Sequence, residues 1–307
     1  KGAASAAPFS FCLLFFGSVS GKDAGMGRLI WLTSYPKSGN TWMRAFLHNL
    51  FRNPPKPAGI NELDQFCLSE SKPHWYLPYS GGRPTETLSL AEIMEIRPRA
   101  HQDMTRAFPD SVFVKTHNFL GESHGYPLVN QAVTAGAIYI VRNPLDVAVS
   151  AADHFGLTLD QTIDFMGDDS AATANDASNV PEVLASWSLH VRSWTGRPHP
   201  ALLVLRYEDM LARPAESFGR VISFLRLPSD RARLDKALRF SSFKELSRQE
   251  KKGGFRERSQ NSRNFFRVGK PDQWREALTP EQIRRIVGLH REQMERFGYV
   301  PAELKSG

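Results

Sequence analysis

The sequence has little cysteine: Cys12 and Cys67 are the only two in 307 residues, which excludes a disulfide-stapled scaffold and a cysteine-rich zinc site. The pair has no metal-ligand spacing, so a reducing, cytoplasmic setting is expected. Long apolar runs are also missing. Phe9–Phe16 and Ala137–Val141 are the longest, well short of the ~18 residues that span a bilayer. No internal repeat or low-complexity tract occurs, which removes solenoids and disordered arrays. The rest is ordinary: 41% hydrophobic and 23% charged residues, the balance of a large globular unit. The net charge of +7 allows an anionic partner without separating a phosphorylated ligand from nucleic acid.

Residues 1–25 are rich in Ala, Ser and Gly, and Met26 opens a strand-like pattern. They read as an appended or flexible N-terminal segment before a single domain over 26–305. Within it, Leu29–Thr33, Val112–Lys115, Ala137–Arg142 and Leu202–Tyr207 are short apolar runs with the character of buried parallel strands. Helical spacing links Trp42, Phe46, Leu47, Leu50 and Phe51, which stop at Pro54-Pro55, and also Phe218, Val221, Ile222 and Leu225. Val183, Leu184, Trp187, Val191 and Trp194 mark another helix. Ile283 to Phe297 marks the last, behind the capping box Thr279-Pro280-Glu281-Gln282. The alternation predicts an α/β, P-loop-like three-layer fold: a mainly parallel central sheet with helices on both faces and ligands at the strands' carboxyl ends. Residues 54–98 lack periodicity and read as a long loop or a set of short helices. Residues 244–270 carry nine Lys/Arg against Glu245, Glu250 and Glu257, and read as a mobile basic flap.

The chemistry-bearing residues follow strands. Tyr35-Pro36-Lys37-Ser38-Gly39-Asn40-Thr41-Trp42 lies between the first strand and its helix, where free backbone N–H groups and the helix dipole favour a phosphate. It is not the G-x-x-x-x-G-K-[ST] loop of common ATPases, because Lys37 precedes the only glycine. Val114-Lys115-Thr116-His117 ends a second strand with Lys and His on one side of an extended chain, and a histidine there suits a general base. Arg142-Asn143-Pro144-Leu145-Asp146 leads into a helix bearing Ser150, a bidentate cation and a hydroxyl for phosphate. Read alone, Arg142 pairs equally well with Asp146.

Together these segments resemble the sulfotransferases that use 3′-phosphoadenosine 5′-phosphosulfate, above all their soluble, cytosolic-type members, over about Met26–Tyr299. Tyr35–Trp42 resembles the 5′-phosphosulfate loop Y-P-K-S-G-T-T-W, with Asn40 replacing a Thr, and Arg142–Ser150 resembles the 3′-phosphate segment. Lys115-Thr116-His117 resembles the K-T-H that carries the base. Arg206-Tyr207-Glu208-Asp209-Met210 and Ser241-Ser242-Phe243-Lys244-Glu245 resemble two further segments of the family. The resemblance implies His117, Lys37, Lys115 and Ser150 as catalytic. It implies donor binding by Lys37, Ser38, Gly39, Asn40, Thr41, Trp42, Arg142, Ser150, Tyr207, Ser241, Phe243, Arg267, Val268 and Gly269, with Trp42 and Phe243 stacking the purine. No metal is implied.

Two departures stand out. Arg267-Val268-Gly269-Lys270-Pro271-Asp272-Gln273-Trp274 has Val268 where the family's R-K-G-x-x-G-D-W has Lys. Arg275–Arg284 carries Pro280 and Arg284 where the family's dimer motif has Val and Glu, so dimerisation by that motif is not expected. The implied acceptor is a small molecule bearing a hydroxyl or an amine, phenolic or lipid-like, with Phe66, Trp75, Tyr76, Tyr79 and Phe155 as lining candidates; neither nucleic acid nor membrane is expected as a partner. Competing readings are a nucleotide-dependent kinase, which lacks a strand-end Asp for Mg²⁺, and a non-catalytic nucleotide or nucleic-acid binder using the flap.

Overall fold

Alternate residues of each central strand enter different cores. Leu29 and Trp31, Val112 and Val114, and Tyr139 and Val141 pack into one apolar cluster. Ile30 and Leu32, Phe113, and Ile138 and Ile140 pack into another. Side chains that alternate across a strand while both faces are apolar require a sheet covered on both sides, and each large side chain so buried contributes about 1.5–3 kcal/mol. A computed structural model describes residues 27–305; Cys12 and the N-terminal segment considered above lie outside the described residues.

The strands are β1 (Leu29–Ser34), β2 (Cys67–Ser69), β3 (Val112–Thr116), a small hairpin of β4 (Glu122–Ser123) and β5 (Tyr126–Pro127), β6 (Thr134–Val141) and β7 (Leu202–Arg206). Helices α1 (Asn40–Arg52) and α2 (Leu90–Met104) precede β3. Between β6 and β7 lie α3 (Pro144–Phe155), α4 (Leu159–Gly167) and α5 (Trp187–Thr195). After β7 come α6 (Tyr207–Ala212), α7 (Pro214–Phe224), α8 (Arg231–Phe240), α9 (Phe243–Gly253), α10 (Trp274–Ala277) and α11 (Pro280–Arg296). The main sheet has the order β2-β3-β1-β6-β7, with all pairings parallel. The expected three-layer α/β architecture is thus present.

The chain leaves β1 for β3 on one side and returns to β6 on the other, so the carboxyl end of β1 is the switch point where such sheets bind ligands. Pairing of Thr33 with Thr116, Ser34 with Ile140 and Val141 with Arg206 brings those strand ends to one edge.

Three expectations change. The 54–98 stretch holds four short helical turns as expected, but it also contributes the edge strand β2 and much of α2, which starts on a capping box of Ser89 and Glu92 and tolerates Pro98 inside it. Helix α5 starts at Trp187, capped by Ser186. Val183 and Leu184 instead run extended, their N–H groups donating to Asn118 Oδ1 and the Ala171 carbonyl. The basic stretch is not a loose flap: it opens as α9, and the buried Glu250 accepts from the N–H groups of Phe265 and Phe266 at 2.7 and 2.9 Å. The Arg44–Glu257 ion pair and a Ser262–Asp153 hydrogen bond pin it further.

Candidate active site

The loop after β1 turns on two left-handed residues, Lys37 (φ 67°) and Gly39 (φ 107°), a backbone form that turns successive N–H groups into an anion-binding concavity. Gly39 caps α1 without a side-chain bond, which leaves the helix's first N–H groups to a ligand. A Cβ on Gly39 would lie 2.7 Å from the Tyr207 ring, so the loop needs glycine for close approach as well as for φ. The buried Ser38 hydroxyl has no protein partner. Asn40, the departure from the family loop, donates its amide to the Leu32 carbonyl at 2.9 Å, so it ties α1 to β1, while its Oδ1 is buried without a protein partner.

Arg142 does not pair with Asp146. Its guanidinium donates to the Lys37 carbonyl at 2.7 Å and lies over the Tyr207 ring, 4.5 Å from the centroid. Asp146 accepts from the N–H groups of Asp272 (2.8 Å) and Trp274 (3.2 Å). One carboxylate therefore docks the end of the third phosphate motif on the helix that follows the second. Glu208 accepts from the Asn143 N–H and from the Tyr299 hydroxyl, and so holds the Arg142 turn from the side of α6. Arg267 reaches α3 on the turn that carries Ser150, donating to the Val149 carbonyl and lying 3.7 Å from Asp153. Val268 is exposed and brings no cation; Lys270 is exposed too.

Lys37 rests 4.1 Å from the Phe265 centroid, an attractive cation–aromatic contact. Burial, with Arg142 close by, pushes its ammonium down to about 8. Trp42 packs edge-on to Tyr207 and Phe218. A Cβ on Gly269 would lie 2.4 Å from the Phe243 ring. Both Trp42 and Phe243 border the small cluster of Leu246, Phe255 and Phe266. Ser241 is fully buried and its hydroxyl donates to the Ala237 carbonyl of its own helix at 2.8 Å.

At the end of β3 the alternation sends Lys115 and His117 one way and Thr116 and Asn118 the other. Nδ1 of His117 lies 2.7 Å from the Ser34 carbonyl; a carbonyl only accepts, so Nδ1 carries the proton and Nε2 the lone pair. The His117 N–H donates to Glu182 at 2.5 Å, and its carbonyl accepts from His190 at 3.1 Å. Nε2 of His117 has no hydrogen-bond partner among the described residues. Burial, and then the charge of Lys115, press the imidazole down to about 3, so it is neutral at physiological pH. Lys115 lies 3.0 Å from Glu182. On the other face Thr116 and Asn118 donate to the buried Glu70, which also pairs with Arg97.

The aromatic residues expected to line an acceptor pocket scatter. Phe66 packs among His48, Phe51 and Phe113 on the far face of the sheet. Tyr76 is fully buried with its hydroxyl on Glu70, so neither ring is a pocket wall. Tyr79 donates to Asp103, Trp75 packs at a tilt against His74, and Phe155 packs against His154 and Phe165. Glu182 and Phe265 were missed because each acts from a segment with no motif of its own; Asp146 lies in the second phosphate motif, but its partners, the N–H groups of Asp272 and Trp274, lie in a distant segment. Among the described residues, no group of three or more His, Cys, Asp or Glu could hold a metal.

The sulfotransferase domain model matches residues 28–298. Cytosolic sulfotransferase 5 of Arabidopsis thaliana is 25% identical over 276 residues, 87% of this chain and 80% of the relative. Sulfotransferase 2A2 of Mus musculus is 26% identical over 275 residues, 87% of this chain and 84% of the relative. Among solved structures, mouse sulfotransferase SULT7A1 complexed with PAP aligns with a TM-score of 0.55 at 24% identity, covering 87% of this chain and 84% of that one. Retinol dehydratase in a complex with retinol and PAP aligns at 0.60 and 18% identity, covering 87% and 81%; both likenesses are of fold. The chain belongs to the sulfotransferase family and is a sulfotransferase, an enzyme that transfers a sulfuryl group. No helix among the described residues is long and apolar enough to cross a membrane.

Proposed function

We propose that the enzyme transfers the sulfuryl group of 3′-phosphoadenosine 5′-phosphosulfate to the hydroxyl of a small-molecule acceptor in the cytoplasm, with His117 as general base. The observation that carries this reading is the Nδ1 contact of His117 with the Ser34 carbonyl, which leaves a neutral Nε2 to take the acceptor's proton. The local fit to the donor supports it: an uncapped helix start, the unpartnered Ser38 hydroxyl and two glycines held against aromatic rings. Lys37 neutralises the departing phosphate oxygen. Lys115 faces the sulfonate oxygens with the N–H groups that Glu182 does not use. Arg142, Ser150, Arg267 and the Gly269 main chain hold the 3′-phosphate, with Tyr207, Trp42 and Phe243 around the purine. A general base contributes typically ~10²–10⁴-fold. His117→Ala is therefore expected to retain less than about a tenth of wild-type transfer to a panel of phenols and alcohols, while binding adenosine 3′,5′-bisphosphate as before. Transfer at the wild-type rate would remove His117 from the chemistry.

A further inference from the structure

Two buried carboxylates divide the end of β3 between them. Glu70 takes Thr116, Asn118 and Arg97 on the core side. Glu182 takes the other side: one oxygen accepts the His117 N–H at 2.5 Å and the other accepts the Lys115 ammonium at 3.0 Å. We propose that Glu182 is a positioning residue for sulfuryl transfer, fixing the base and the sulfonate-facing lysine relative to each other through its two oxygens. This rests on the roles given above to His117 and Lys115.

The segment that carries Glu182 is built to hold it still. Its N–H donates to the Thr173 hydroxyl and its carbonyl accepts from the Thr173 N–H. The next residue, Val183, donates to Asn118, and Val180 donates to the Ser71 carbonyl. Glu182 is 4% exposed, so its carboxylate has no solvent route to another arrangement. With the main chain of His117 held by Glu182 and the ring by Ser34, translation and rotation of the imidazole are constrained from two directions. Lys115 spends one of its three donors on Glu182 and keeps a partly open ammonium, its side chain 15% exposed. The fixed negative charge also opposes the effect of Lys115 on the imidazole, favouring a more basic Nε2.

Glu182→Gln preserves an acceptor for the His117 N–H and removes the charge that holds Lys115; Glu182→Asp preserves the charge and shortens the reach. With the fastest acceptor among 4-nitrophenol, 2-naphthol and a hydroxysteroid, Glu182→Gln is expected to lower kcat about ten- to a hundredfold. The Kd for adenosine 3′,5′-bisphosphate should stay within about threefold, and Glu182→Asp should recover part of the rate. In a Lys115→Met background the same Gln substitution should cost less than about threefold, because the coupling partner is already gone. Wild-type kcat in Glu182→Gln, or a loss that multiplies unchanged with Lys115→Met, overturns the positioning role while leaving the sulfotransferase site intact. Misfolding of the Gln variant shifts the decision to Glu182→Asp, where undiminished kcat overturns it. A wild-type enzyme that neither binds the bisphosphate nor transfers sulfuryl overturns the parent reading, and this one with it.

Discussion

At the residue scale, the site's ionisable groups are set by burial more than by pairing. Lys37 is cationic near neutrality but held at about 8, well below a free lysine. Burial disfavours its charged form, so the charge is present below about 8 and is lost as pH rises through it. The affinity of the free enzyme for adenosine 3′,5′-bisphosphate should accordingly fall several-fold between about pH 7 and 9.5, and Lys37→Arg should flatten that dependence because arginine stays charged. Titration calorimetry across the range checks this; parallel profiles for the two proteins would contradict it. Phe265 lies against the same ammonium, and nothing in the sequence marked it except its place in a basic stretch.

At the element scale, the motifs hold position because other elements fasten them together. Asp146 at the start of α3 joins the segment before α10, Glu208 on α6 joins the Arg142 turn, and Gly269 lies against Phe243 at the start of α9. Gly269 has φ +65° and no room for a Cβ, the ring carbon being 2.4 Å away. A side chain there adds left-handed strain of about 1–2 kcal/mol and forces the ring to move. Gly269→Ala is expected to weaken bisphosphate binding about tenfold, whereas Gly253→Ala, with nothing within 4 Å of its added Cβ, should bind as wild type. Equal affinities for the two variants would show that the Phe243 contact is immaterial.

The same fastenings explain what could be read in advance. Strands β1, β3, β6 and β7 and the three motifs after them were legible because a run buried on both faces and an anion loop each leave a local pattern. The edge strand β2 is three residues long, and Pro98 interrupts the pattern of α2, so neither signalled itself. The Phe66 and Tyr76 rings looked like pocket walls because aromatic content does not reveal which layer a residue joins; Phe66 lies with the α1 face and Tyr76 under Glu70. Glu182 was invisible because its role depends on a contact with Lys115 across 67 residues.

For the whole molecule, the buried histidines make an acid-sensitive fold. Burial lowers His117 and His190 to about 3 and His154 and His290 to about 4. Each is neutral when folded and takes a proton on unfolding below about 6.5. Their contribution to stability is complete above that pH and is lost as pH falls toward the folded values. The fully buried His190 and His290 alone each give a slope of up to about 1.4 kcal/mol per pH unit in that window. Asp146 and Glu208, whose carboxyls burial pushes up, act with the opposite sign at lower pH. The melting temperature should therefore drop steadily from about pH 6.5 to 4.5, and a flat profile would mean that these rings are charged in the folded state.

The central claim is that the loop at the end of β1, the Arg142 turn and the Arg267 segment form one site for a 3′,5′-bisphosphorylated adenosine. Thermal unfolding with adenosine 3′,5′-bisphosphate, with 5′-AMP and with ATP plus Mg²⁺ tests it most directly. At about 100 times its Kd the bisphosphate should stabilise by about 2.7 kcal/mol, with much smaller shifts for the other two ligands and a reduced bisphosphate shift in Arg142→Ala. No shift with the bisphosphate, or a shift confined to ATP plus Mg²⁺, would contradict the account.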